Sequence, residues 1–241
     1  MPSLNKFFLY CLPFSGGNSY SYNSLQQHLS ADVLIRAPEL PGRNNRLAEP
    51  LLTDLQAMCE DIFNQFRVTI GHHTYAIYGH SMGALLGYLL VRKVLQYGLP
   101  KPLQLFVSGA PGPGVPRPKP HRHIQPKQVF IEYVKSLGGL PDEVLNTPEA
   151  MDFYETILRA DIQAVETSNY PTEPILDIPI TLLQGLQDNN IGEADALAWQ
   201  AVTSQPLRIL RYPGKHFFIN QHRQEIADLF SKTLDSVVTR C

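Results

Sequence analysis

Residues 75–90 read Tyr75-Ala76-Ile77-Tyr78-Gly79-His80-Ser81-Met82-Gly83-Ala84-Leu85-Leu86-Gly87-Tyr88-Leu89-Leu90. A short apolar run with β-favouring residues predicts a strand over Tyr75–Tyr78. The pentapeptide Gly79-His80-Ser81-Met82-Gly83 fits G-x-S-x-G. That pattern needs a strand, a sharp turn and a helix, with glycines where backbone segments approach closely and the serine Oγ thrown out at the top of a sheet. The run from Ala84 to about Gln96 supplies the helix.

Working outward, short apolar runs alternate with helical patterns. Strands are predicted at Lys6–Leu12, Val33–Ile35, Leu103–Val107, Ile180–Leu183 and Leu207–Tyr212. Helices are predicted at Tyr20–Leu29, Leu51–Phe66, Ala194–Val202 and Phe217–Val237. Strands alternating with helices imply a mainly parallel α/β sheet with helices on both faces. The alternation breaks at residues 111–126, which hold Pro111, Pro113, Pro116, Pro118, Pro120 and Pro126. Proline lacks the amide donor and fixes φ, so this stretch is neither strand nor helix interior. Helical patterns at Lys127–Leu137 and Pro148–Ser168 follow, and Pro171, Pro174 and Pro179 lead back to a strand. The whole reads as one domain over residues 1–241, with an inserted helical lid over residues 111–178.

Composition narrows the function classes. The 241 residues are 44% hydrophobic and 17% charged, with a net charge of -2, enough for one domain with a sizeable core. A pI near 6.4 lacks the basic balance of a nucleic-acid binder. No run approaches the roughly 18 apolar residues of a membrane span. The three cysteines, Cys11, Cys59 and Cys241, form neither a disulfide framework nor a zinc spacing. Cys241, at the end of the sequence, does not form a prenylation box. A cytoplasmic protein is expected, with no membrane or nucleic-acid partner. The 20 prolines exceed the usual share of ~5%.

A serine hydroxyl is a weak nucleophile and needs a base. On a parallel sheet with a serine at a strand-to-helix turn, the acid and then the histidine follow in the chain. Candidate bases are His121, His123, His216 and His222. His121 and His123 precede any later acid, and His222 falls in the last predicted helix. His216 follows a predicted strand and the turn Pro213-Gly214-Lys215, where a base is needed. The acid is assigned to Asp188, after Gly185-Leu186-Gln187, with Asp195 second and better read as a carboxylate at a helix N-terminus. An oxyanion hole needs two backbone N–H groups. Met82 is expected to give one, and Ser15 in Pro13-Phe14-Ser15-Gly16-Gly17 the other, with Phe14 second.

These motifs resemble the type II thioesterases of polyketide and nonribosomal peptide synthesis, which have the α/β-hydrolase fold. The likeness spans nearly the whole chain. It rests on Leu12-Pro13-Phe14-Ser15-Gly16-Gly17, Glu39-Leu40-Pro41-Gly42-Arg43 with Arg46, and Gly79–Gly83. Leu137–Pro141, Leu158-Arg159-Ala160-Asp161 with Glu166-Thr167, Gly185–Asp188 and Gly214–Phe218 complete it. Ser15 stands where the family usually has Ala, and Gly214-Lys215-His216 where Gly-Gly-His is commoner. The resemblance implies hydrolysis of acyl thioesters on the phosphopantetheine arm of an acyl- or peptidyl-carrier protein, through an acyl-enzyme, by a monomer. It requires no cofactor and no metal. The alternatives are a small lipase or carboxylesterase acting on oxygen esters, and a noncatalytic binding module on the same scaffold. The basic stretch Arg117, Lys119, His121, Arg122, His123 and Lys127 is placed to steer an acidic carrier protein. Phe130, Val134, Phe153, Ile157 and Leu158 are candidates for lining an acyl chamber.

Overall fold

The structure, a computed structural model, describes residues 7–236. Lys6, Val237 and Cys241 lie outside them. Six strands form one sheet: β1 (Phe7–Leu12), β2 (Val33–Arg36), β3 (Tyr75–His80), β4 (Leu105–Ser108), β5 (Ile180–Gly185) and β6 (Arg208–Tyr212). Their order is β2-β1-β3-β4-β5-β6, and every pairing is parallel. Residues along β1 alternate between two cores. Phe8, Tyr10 and Leu12 point to one, and Phe7, Leu9 and Cys11 to the other. The first core takes α2 (Leu55–Phe66) and α3 (Met82–Gln96); the second takes α1 (Asn23–Gln26) and α8 (Arg223–Asp235). Both faces are therefore covered, as continuous apolar strands require. Cys11 and Cys59 lie buried in opposite cores, which explains why both are free thiols. No helix among the described residues is long and apolar enough to cross a membrane.

Between β4 and β5 the chain leaves the sheet. An irregular proline-rich path runs to α4 (Lys127–Leu137), then α5 (Asp142–Asn146) and α6 (Pro148–Thr167). Phe130, Val134, Leu158 and Ile162 form a small apolar cluster of their own, while Ala164 belongs to the first core. The return path is stitched to the sheet domain: Tyr88 Oη donates to the Pro171 carbonyl at 2.6 Å, and the Leu55 amide donates to Ser168 Oγ at 3.1 Å.

Several elements differ from their sequence-based expectations. The helix expected from Leu51 begins at Leu55, because Asp54 accepts the Ala57 amide and caps it there. Of the stretch Tyr20–Leu29, only Asn23–Gln26 is α-helical; the Tyr22 hydroxyl is buried and donates to the Leu12 carbonyl at 2.8 Å. The helix expected over Ala194–Val202 is α7 (Glu193–Leu197) followed by a 3₁₀ turn, with Trp199 buried and its Nε1 donating to the Ala110 carbonyl. The helix expected from Phe217 is a 3₁₀ turn over Phe218–Asn220, a break, and α8 from Arg223. Phe218 is buried and stacked on Tyr212, which fixes the chain before α8 can start. His222 therefore stands at the cap of α8 rather than inside a helix, and its Nε2 donates to the Pro213 carbonyl.

Candidate active site

Ser81 sits between β3 and α3 with φ +54° and ψ −119°. A non-glycine residue at positive φ is strained, and such strain persists only where the surroundings over-determine it. Here the constraints are steric. A Cβ on Gly79 would run into the Gly83 carbonyl, and one on Gly83 into the Leu12 carbonyl. The Ser81 amide is fixed to the Ser108 carbonyl at 2.7 Å. The turn is thereby clamped between β1, β4 and α3. The Ser81 hydroxyl makes no capping bond and has no hydrogen-bond partner among the described residues.

Asp188 and His216 lie on adjacent loops after β5 and β6. The loops run side by side because Leu186 donates to the Tyr212 carbonyl and Gln187 to the Gly214 carbonyl, both at 2.9 Å. A Cβ on Gly185 would sit 2.7 Å from the Lys215 carbonyl, so this approach needs glycine. His216 Nδ1 is 2.8 Å from Asp188 Oδ2, with side chains 6% and 1% exposed. A carboxylate only accepts, so Nδ1 carries the proton and Nε2 is left for the cavity side. Burial pushes the Asp188 carboxyl up, but the hydrogen bond and charge of His216, with two hydrogen bonds from Asn190, outweigh it. The carboxyl is held below its ordinary range and stays ionised.

A cavity of about 530 Å³ brings Ser81, Met82, Ser15, Phe14 and His216 to one wall system. Asp188 stands behind His216 and does not line it. The Ser81–His216 hydrogen bond is not closed; such contacts often tighten only when substrate binds. The amides of Met82, Ser15 and Phe14 have no acceptor among the described residues. Asp195 is spent on capping α7, accepting the Gly192 amide at 2.9 Å. His123 Nδ1 donates to Glu166 at 2.7 Å, away from the Asp188–His216 pair. Of the apolar residues expected in an acyl chamber, Val134 and Leu158 line the cavity. Phe130 and Ile157 are buried elsewhere and Phe153 is half exposed, because α4 and α6 turn those positions toward their own cluster or solvent. Tyr133, Leu137, Tyr154 and Ile162 line it instead. Among the described residues, His121, His123 and Glu166 have ligand atoms close enough to hold a cation, within 4.8 Å of one another.

Two features escaped the sequence. His80 is fully buried beneath His216, ring centroids 4.9 Å apart, with Nδ1 2.9 Å from Ser108 Oγ. Burial, then the charge of His216, hold its pKa well below the ordinary histidine value, so it is neutral. Arg43 and Asp161 form a bidentate ion pair at 2.8 and 3.1 Å, 4% and 0% exposed. Asp161 also accepts the Gly16 amide at 2.7 Å, and Arg43 donates to the Gly17 carbonyl at 2.8 Å. The pair thus ties α6 to the loop that carries Ser15.

The thioesterase-domain family model matches residues 7–234. The chain belongs to the thioesterase family. It is 33% identical to the gramicidin S biosynthesis protein GrsT of Aneurinibacillus migulanus, over 98% of this chain and 92% of that protein. The crystal structure of ClbQ from the colibactin NRPS/PKS pathway superposes with a TM-score of 0.91 at 30% identity, covering 98% of this chain and 100% of that one. The type II thioesterase BorB from the borrelidin biosynthetic cluster superposes with a TM-score of 0.87 at 29% identity, covering 97% and 94%. The fold is thus that of the α/β-hydrolase thioesterases, and this thioesterase is a thioester hydrolase.

Proposed function

We propose that the thioesterase releases acyl groups from the phosphopantetheine arm of acyl- or peptidyl-carrier proteins in polyketide and nonribosomal peptide synthesis, acting as a cytoplasmic monomer. The observation that carries this reading is His216, backed by the buried Asp188, on the same cavity as a strained Ser81, in a chain similar to ClbQ and BorB.

Ser81 Oγ attacks the thioester carbon and its proton passes to His216 Nε2. The amides of Met82 and Ser15 hold the oxyanion; one such donor is worth about 10²–10³ in kcat. Collapse expels the pantetheine sulfur, which takes the proton from His216. Water, deprotonated by His216, then attacks the Ser81 ester, and His216 returns the proton to Ser81 Oγ as the acid is released. Asp188 orients the imidazole and stabilises its charged form. Residues 111–178 act as a lid over this chemistry, and Tyr133, Val134, Leu158 and Ile162 receive the acyl chain.

Mass spectrometry of a panel of acyl-loaded carrier proteins tests the reading, with Ser81→Ala as control. Loss of the acyl mass with the wild-type chain alone is the expected result. Faster cleavage of an oxygen ester of equal chain length would favour the lipase or carboxylesterase reading.

A further inference from the structure

Among the described residues, some arginines hold a carboxylate and others do not. Arg43, Arg46, Arg159 and Arg211 each hold a carboxylate. Arg117 and Arg122, on the proline-rich path, line the cavity and hold none among the described residues. Arg117 lies 5.1 Å over the Tyr170 ring and Arg122 4.9 Å over the Tyr133 ring. Nε and Nη2 of Arg117 are buried without an acceptor. Leaving such donors unmet is costly, most of all on a charged group.

The acids on the same cavity are already engaged. Glu166 accepts the amides of Arg122 and His123 and the His123 ring, at 2.7, 3.1 and 2.7 Å. Asp195 caps α7. The third arginine on the cavity, Arg223, donates to Asn220. The basic stretch read from the sequence is therefore not a uniform docking face. Lys127 is paired with Asp152 and Glu155 and His123 with Glu166, while Arg117 is half-buried at the cavity. Pro116 and Pro118 flank Arg117 and restrict its backbone. Each guanidinium lies over a tyrosine ring, and a guanidinium fork matches carboxylate and phosphate oxygens.

We infer that Arg117 and Arg122 form an anion subsite of the substrate cavity, which binds an anionic oxygen group of the acyl-pantetheine substrate. This rests on the proposed function and adds to it the charge of the substrate. The group is either the phosphate of the arm or a carboxylate on the acyl chain, and kinetics separate the two sources. Three soluble thioesters are compared: a neutral acyl-pantetheine, the same acyl group on phosphopantetheine, and an ω-carboxyacyl-pantetheine of equal length. In Arg117→Met and Arg122→Met, KM is expected to rise 10- to 100-fold for one anionic substrate and to stay within twofold for the neutral one. A rise confined to the phosphorylated thioester assigns the phosphate; a rise confined to the carboxyacyl thioester assigns the acyl carboxylate. Equal effects on all three, or none, would overturn the subsite. Arg122 is exposed, so its replacement keeps the test open should Arg117→Met fail to fold. Calorimetric titration of the three thioesters into Ser81→Ala, with and without the arginine replacements, reads binding without turnover. Failure of the wild-type chain to hydrolyse any of them would therefore count against the carrier-arm reading and leave the subsite to the titration.

Discussion

The turn at Ser81 and the excursion between β4 and β5 border one cavity, yet they are held differently. The turn is enclosed by apolar packing and close backbone contact: β3, β4 and most of α3 are buried, and Gly79 and Gly83 have no room for a side chain. The excursion has a small apolar cluster, joins the first core through Ala164, Leu176 and Ile178, and is also tied by polar groups. Its ion pairs span the whole range of exposure. Arg43–Asp161 is closed to water, while Lys127–Asp152 is more than half exposed on both sides. In the proposed mechanism the rigid turn places the nucleophile and the excursion is the cover over it. Packing holds the first region, and packing together with charge contacts holds the second.

The largest expected effect lies in the turn. Ser81→Ala is expected to lower kcat for a thioester at least ~10⁴-fold with the fold unchanged; a loss below tenfold would move the nucleophile elsewhere. Next comes the buried tether. Asp161→Asn leaves Arg43 buried and uncompensated, a defect that costs about 3–5 kcal/mol. Urea denaturation measures it, and a change below ~1 kcal/mol would mean α6 is held mainly by its apolar face. The Ser15 loop is expected to loosen with it, lowering kcat more than it alters KM.

A smaller effect comes from His80 beneath the site. Its pKa is depressed in the folded chain, so below the ordinary histidine pKa of about 6.5 the unfolded chain binds the extra proton first. Stability from His80 is therefore full above that pH and is lost as pH falls, by at most ~1.4 kcal/mol per pH unit. His80→Phe is expected to flatten denaturation midpoints between pH 6.5 and 5; an unchanged slope would contradict a neutral His80. Asp188, also depressed, acts in the same direction but only at the lower pH where carboxylates titrate. The smallest effect belongs to the exposed tether. Lys127→Ala is expected to leave the melting temperature and kcat unchanged, since exposed pairs contribute little.

The same contrast explains what could be read from the sequence. Apolar runs and the G-x-S-x-G spacing carry period and position, so the strand, turn and helix around Ser81 were legible, as was the parallel α/β class. The excursion showed itself only through its prolines, and α4 and α6 through helical spacing. The Asp142–Asn146 helix was missed because five residues hold too little periodicity. Asp188 and His216 could be singled out from chain order; their 2.8 Å contact required the loops to be placed. Arg43–Asp161 joins residues 118 positions apart, and no local pattern announces such a pair. Its only trace was that both fell within the segments resembling the thioesterases. His222 was assigned to a helix because a polar pattern continues through it; the packing of Phe218 broke that helix.

The proposed mechanism makes Ser81 the nucleophile, activated by His216. Reaction with a fluorophosphonate, followed by peptide mass spectrometry, tests it most directly. One adduct per chain is expected, at Ser81, absent in Ser81→Ala and formed far more slowly in His216→Ala. Labelling at another residue, or undiminished labelling of Ser81→Ala, would exclude Ser81 as the nucleophile.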